Sequence, residues 1–198
     1  MLFNSYPFVF FFLPLAWLIF FLAGAVSRRL GAVWLVVASV VFYGWWDVRF
    51  VPLLLGSIIF NFHAGVRISR WRAMDCVKRS STLSTLAVIA NLLLLAYFKY
   101  ANFFVSALDQ VTGAHWQLST VLLPIGISFF TFTQIAYLVD ARRGLAREYN
   151  FIHYALFVTY FPHLIAGPIL HHKEMMPQFA KPETYRANYR NLSVGMTM

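Results

Sequence analysis

The chain has 198 residues, 60% hydrophobic and 19% aromatic, with only 12% charged and a mean hydropathy of +0.66. Charged residues are about half as common as in an ordinary soluble domain, and 16 Lys or Arg with 7 Asp or Glu cannot cover a soluble core this apolar. Its 21 Phe, 10 Tyr and 6 Trp exclude a disordered chain, and the net charge of +9 lies in short clusters between long uncharged runs, as membrane-loop charge does and a nucleic-acid face does not.

A bilayer core about 30 Å thick needs roughly 20 apolar residues in a helix, because lipid leaves backbone polar groups to satisfy one another. The first uncharged run covers residues 1–27, with 8–26 as its apolar heart and Arg28-Arg29 as its stop. Ala23-Gly24-Ala25 has the small residues of a signal-cleavage site, but the positive charge follows the apolar run instead of preceding it, which argues against a cleaved leader. Further spans are expected over residues 30–46, 50–66 and 83–98. Between the second and third, a tight Asp47-Val48-Arg49 turn is flanked by Tyr43, Trp45, Trp46 and Phe50, as suits a headgroup boundary. A loop is expected over 99–119. The fifth run, 121–139, carries the helix-breaking Pro124 and Gly126, and the sixth, 151–166, ends at Gly167-Pro168.

Positively charged loops stay in the cytoplasm. Arg28-Arg29, the cluster Arg67, Arg70, Arg72, Lys78 and Arg79, and the group Arg142, Arg143 and Arg147 therefore put three connections inside and the N-terminus outside. A full sixth crossing would carry Lys173, Lys181, Arg186 and Arg190 outward. The sixth run is also short and holds His153 and His163, so it reads as re-entrant. The expected fold class is all-α: a polytopic helical membrane protein with five transmembrane helices plus a sixth short or re-entrant segment, forming one membrane domain over 1–198. The single cysteine, Cys76, excludes an intrachain disulfide and a multi-thiolate metal site.

Polar side chains at membrane depth are costly, so each needs a reason. Asn61, Asn91 and Gln134 read first as interhelical hydrogen-bonding groups, and Gln134 stands apart because it follows the Pro124-Ile125-Gly126 break. Histidine is the natural base near neutral pH. His115 reads as solvated, and His63 and His153 as structural groups near the interfaces. His163, His171 and His172 flank Gly167-Pro168, where freed backbone groups and imidazoles can line a polar cavity. Gln134, His163, Gly167, Pro168 and His171 are thus the candidate residues of a substrate path. The chain has no Gly-rich phosphate loop, zinc helix or nucleophile elbow. His171-His172 with Glu174 makes a poor ligand set, because adjacent histidines on a helix diverge, and no metal is expected. The cluster 67–79 with Trp71 reads as a headgroup contact. Broken helices also suit a transporter, although the chain lacks internal symmetry and a deep acidic residue.

Three segments go further than hydropathy. Phe42-Tyr43-Gly44-Trp45-Trp46-Asp47, the stretch LLPIGISFFTFTQIAYLVD from residue 122 to 140, and ALFVTYFPHLIAGPILHHKEMMPQF from 155 to 179 resemble the membrane-bound O-acyltransferase family. The resemblance is to its bacterial branch, which includes alginate O-acetylases and D-alanyl transferases of teichoic acids. It implies a multi-pass enzyme of the bacterial inner membrane with helices around a thinned centre. Such an enzyme takes an acyl group, acetyl first, from a cytosolic thioester such as acetyl-CoA and passes it to a hydroxyl of an exported polysaccharide such as alginate. The partners it implies are the bilayer, the donor, the acceptor and other polysaccharide-modification proteins; no bound cofactor and no nucleic acid are expected. In the family the catalytic histidine lies in a half that follows the region seen here. The chain is therefore expected to be an incomplete, inactive portion, with none of His63, His163, His171 or His172 in the catalytic role.

Overall fold

The computed structural model describes residues 3–112, 121–146, 150–164, 175, 178–179, 181–185, 193–194 and 197. All regular structure among them is helical. α1, Leu13–Val26, continues from a π-helical turn, Phe8–Phe12. The turn widens because Pro14 offers no N–H to the Phe10 carbonyl and its ring would crowd that oxygen, so the Leu13 amide bonds Phe8 O, one residue further back than in an α-helix. Ser27 then turns the chain in one extended residue and caps α2, Arg28–Gly44, by accepting the Arg29 amide at 3.3 Å. The resulting hairpin is tied by the Trp34 indole, which donates to Ala16 O at 2.9 Å.

Exposed Trp45 and Trp46 precede a 3-10 turn, Val48–Phe50. Asp47 caps that turn through the Arg49 amide at 3.0 Å and grips the Arg49 guanidinium at 2.7–3.1 Å, which holds its carboxyl below the ordinary carboxylate value. α3, Val51–Ala73, runs back from this turn. It closes with the Cys76 amide on Trp71 O at 2.8 Å and the Asp75 amide on Arg72 O at 3.2 Å, with Asp75 at φ 56 in the left-handed position that glycine fills at most such helix ends.

α4, Val77–Thr112, has 36 residues and at 1.5 Å per residue is about 54 Å long. This corrects the loop expected over 99–119: residues 99–112 continue the helix. Hydropathy falls at Lys99, but neither glycine nor proline occurs between Lys99 and Thr112, so the backbone has no reason to stop. Beyond it, Asn102 pins the approach to α5, accepting the Val121 amide at 2.8 Å and donating to Val121 O at 2.7 Å.

The expected helix from 121 also starts late. Pro124 to Ile127 form a turn closed by the Ile127 amide on Pro124 O at 3.3 Å, with Gly126 at φ 70 in the third position, where a Cβ would be strained. α5, Ile127–Arg143, follows and ends at Gly144, φ 77. α6, Phe151–Thr159, is capped by Asn150, which accepts the Ile152 amide at 3.0 Å. The sixth run breaks first at Tyr160; the break expected at Gly167-Pro168 lies outside the described residues. Pro162 in a continuous helix would press on the Val158 carbonyl, so the chain kinks and restarts as α7, Phe161–Leu164. The Phe161 amide freed at the kink donates to Ser39 Oγ of α2 at 3.2 Å, and the Ser39 hydroxyl donates to Leu35 O at 2.7 Å.

α3, α4 and α5 pack as a three-helix group, α1 and α2 as a hairpin, and α6 joins them by touching α2, α3 and α5. Tyr137, Tyr154, Phe130 and Phe157 fill the junction. Gly65 permits the closest approach: a Cβ there would fall within the Tyr137 ring, 2.7 Å from its hydroxyl oxygen. Among the described residues, three stretches are long and apolar enough to cross a bilayer, Phe8–Val26, Val48–Ala73 and Val77–Ala107. α2 and α5 have 17 residues each, about 25 Å, short of the roughly 30 Å hydrocarbon core.

Candidate functional site

The helical hairpins bring the α1–α2, α3–α4 and α5–α6 connections to one end, where the Ser69 hydroxyl of α3 donates to Ala146 O at 3.2 Å. Arg28, Arg29, Arg72, Arg142 and Arg143 gather at this end. Between it and the Trp45-Trp46 end lies a cluster of carboxamides. Asn61 of α3, Asn91 of α4 and Gln134 of α5 are 0%, 3% and 0% exposed. All three are buried, so lipid and core offer them no water and they turn to one another.

The bonds close as a network. Asn91 Nδ2 donates to Asn61 Oδ1 at 2.7 Å and to Ala87 O at 2.8 Å. Asn61 Nδ2 has three acceptors for its two hydrogens: Ser57 O at 2.9 Å, Gln134 Oε1 at 2.9 Å and Asn91 Oδ1 at 3.1 Å. Gln134 Nε2 donates to Ser57 Oγ at 3.1 Å, and the Tyr154 hydroxyl of α6 donates to Gln134 Oε1 at 3.4 Å. Four helices are thereby locked through five side chains. A groove of about 370 Å³ between α3 and α4 reaches the cluster past Gly56, Phe60, Ala90 and Leu94. Carboxamides do not titrate near neutral pH, so the cluster can position a hydrogen-bonding group but cannot take its proton.

The inward location of Asn61, Asn91 and Gln134 agrees with their reading as interhelical groups. Gln134 is the one path candidate whose side chain is described, and its carboxamide is engaged within the network. His163 lies in α7, and only its backbone is among the described residues; Gly167, Pro168, His171 and His172 lie outside them. His63 is exposed on α3 with its ring 5.7 Å from Phe62, and His153 is half-buried near the basic end. Among the described residues, no three His, Cys, Asp or Glu side chains gather as metal ligands.

Two features escaped the sequence reading. Tyr43 Oη, Thr131 Oγ1 and Thr133 Oγ1 are buried with no partner among the described residues, each a cost of about 1–3 kcal/mol. The Thr-Phe-Thr-Gln run of α5 was their visible signal, since it puts three polar side chains on one turn. The other is a pocket of about 420 Å³ at the basic end, lined by Ser27, Arg28, Arg29, Asn150, His153 and Tyr185 among others. Tyr185 belongs to a 3-10 turn, Pro182–Tyr185, and packs on Gly24 and Gly31: a Cβ added at Gly24 would come within 3.1 Å of the Tyr185 Cβ and carbonyl oxygen, and one added at Gly31 within 2.9 Å of its ring. Its hydroxyl donates to Phe179 O at 2.9 Å; burial pushes the phenol's pKa up, against the opposing pull of Arg28.

Comparison with known proteins adds what this geometry alone does not. The family model "MBOAT, membrane-bound O-acyltransferase family" matches residues 76–198. A peptidoglycan O-acetyltransferase of Helicobacter pylori is 38% identical over 223 residues, covering 99% of this chain and 42% of the relative. A probable alginate O-acetylase of Pseudomonas aeruginosa is 41% identical over 184 residues, covering 90% of this chain and 34% of the relative. A teichoic acid D-alanyltransferase of Lacticaseibacillus rhamnosus is 24% identical over 135 residues, covering 67% of this chain and 31% of the relative. The chain thus spans well under half the length of these curated relatives. No solved structure matches it.

Proposed function

Because the chain belongs to the membrane-bound O-acyltransferase family, we propose that it forms part of an enzyme that moves an acyl group, acetyl in the first instance, from a cytosolic thioester donor to hydroxyls of an exported or wall polysaccharide. The observation that carries this reading is the family match over residues 76–198, joined by relatives at 38% and 41% identity whose names both specify O-acetylation of a glycan. Alginate and peptidoglycan are the two acceptor classes these names offer, and acetyl-CoA is the simplest donor.

The proposed setting is the bacterial inner membrane, with the arginine-rich end in the cytoplasm and the N-terminus outside. In this reading α1 to α5 make five crossings, and the short α2 and α5 border a thinned centre. The sixth run re-enters: Asn150 and His153 at its start and Phe179 and Tyr185 after it line one pocket at the same end. The carboxamide cluster serves as the scaffold beside which a donor or acceptor passes, and Gln134, His163, Gly167, Pro168 and His171 remain the proposed path. The test is made in the Pseudomonas aeruginosa relative, with substitutions matching Gln134→Ala and His163→Ala. Acyl transfer should fall in both while membrane insertion persists; wild-type turnover in both would reduce these residues to packing.

A further inference from the structure

Two cavities meet at Phe179, which lines both. The lower one is the pocket of about 420 Å³ at the basic end. The upper, about 410 Å³, runs beside α1 and is walled almost wholly by apolar side chains, among them Leu13, Trp17, Phe20, Phe21 and Phe161. Of its α1 lining, Leu13 and Trp17 stand exposed at the rim, on a side that a bilayer would cover.

The lower cavity is electrostatically one-sided. Arg28 and Arg29 occupy the first turn of α2, the positive end of that helix's dipole, where cations are disfavoured. The first turn of α6 converges on the same cavity and adds a second positive end together with His153. Neither first turn contains an acidic residue, and none lines the cavity among the described residues. Two guanidinium groups and two helix N-termini therefore share one cavity, and the chemistry that would balance them is a phosphate.

We propose that the two cavities form a single site for an anionic glycerophospholipid, its phosphate held at Arg28 and Arg29 and one acyl chain lying in the apolar cavity along α1. A soluble phosphoester would leave the apolar cavity unfilled, and a neutral lipid would leave the guanidinium groups unbalanced. Only an amphiphile with a negative head matches both halves. The site requires that the chain sit in a bilayer and is independent of acyl transfer.

The test is native mass spectrometry of the detergent-solubilised chain with phosphatidylglycerol or phosphatidylcholine of identical acyl chains, and with sn-glycerol 3-phosphate as a soluble competitor. Phosphatidylglycerol should be retained in preference, and Arg28→Gln with Arg29→Gln should lower its retention about tenfold or more. Arg67→Gln with Arg70→Gln, an exposed pair on α3 near the same end, should leave retention unchanged. Leu13→Trp, at a 41% exposed position lining the apolar cavity, should shift retention toward short-chain lipids. Equal loss from either arginine pair would reduce the site to diffuse surface charge. Displacement of the lipid by glycerol 3-phosphate at matched concentration would assign the pocket to a free phosphoester instead. The wild-type competition alone decides the latter point even if a variant fails to fold.

Discussion

Replacing Asn61 by leucine, a side chain of similar shape, tests whether the carboxamide cluster acts as one unit. The change removes the reciprocal pair with Asn91 at 2.7 and 3.1 Å and the bond to Gln134 at 2.9 Å. It also strands partners. Asn91 Oδ1 loses its acceptor role in a side chain that is 3% exposed, and Gln134 Oε1 keeps only the long Tyr154 bond at 3.4 Å. Interhelical hydrogen bonds in lipid contribute about 0.6 kcal/mol each, up to about 1.7, whereas a buried polar group left unpaired costs about 1–3 kcal/mol. The stranded groups therefore dominate, and the expected loss for Asn61→Leu is about 3 kcal/mol. Asn91→Leu strands Asn61 in the same way. The double variant Asn61→Leu/Asn91→Leu removes both ends of the shared pair, so its loss should fall short of the summed single losses by about 1–2 kcal/mol. Reversible unfolding of the detergent-solubilised variants measures all four corners of the cycle. Additivity within about 0.3 kcal/mol would show that the two amides act independently and would refute the reasoning.

Gly65→Ala should destabilise the chain by about 2 kcal/mol or more, because the added methyl falls on the fully buried Tyr137 ring, and overpacking at such a site has no soft neighbour to move. A thermal melt indistinguishable from wild type would mean that α3 and α5 part easily. Asp75→Gly should stabilise by about 1 kcal/mol, since glycine occupies the φ 56 position without Cβ strain; a lower unfolding midpoint counts against it. At Asp47 the carboxyl's folded pKa is lowered, chiefly by hydrogen bonds from Arg49. Its contribution is therefore present above the unfolded value, about 3.9, and is lost as pH falls through the lowered one. Arg49→Leu should raise the acid midpoint of the Asp47 turn, read from the fluorescence of neighbouring Trp45 and Trp46, and an unmoved midpoint would sever the link.

Composition determined that lipid is part of this protein's environment, and the charge-free run at 8–26 coincides with the helical stretch Phe8–Val26 because an apolar run in lipid has no alternative to helix. Asn61, Asn91 and Gln134 were legible as polar groups needing partners, and three motif segments carried the family resemblance. Partner choice was not legible. Asn61 and Gln134 are 73 residues apart, and nothing local says that α3 and α5 approach closely enough for a 2.9 Å bond. That closeness depends on Gly65 meeting Tyr137 across the interface. Helix ends were equally hidden where hydropathy and backbone chemistry disagree: α4 passes Lys99 because no residue there breaks a helix, and the sixth run kinks at Tyr160 because Pro162 does. The basic pocket was hidden for the same reason, since Arg28-Arg29 reads as an ordinary stop signal until α6 brings Asn150 and His153 to it. Local sequence sets which segments become helices and which side chains need partners; the packing of distant helices, cooperative over the whole fold, decides which partners they meet.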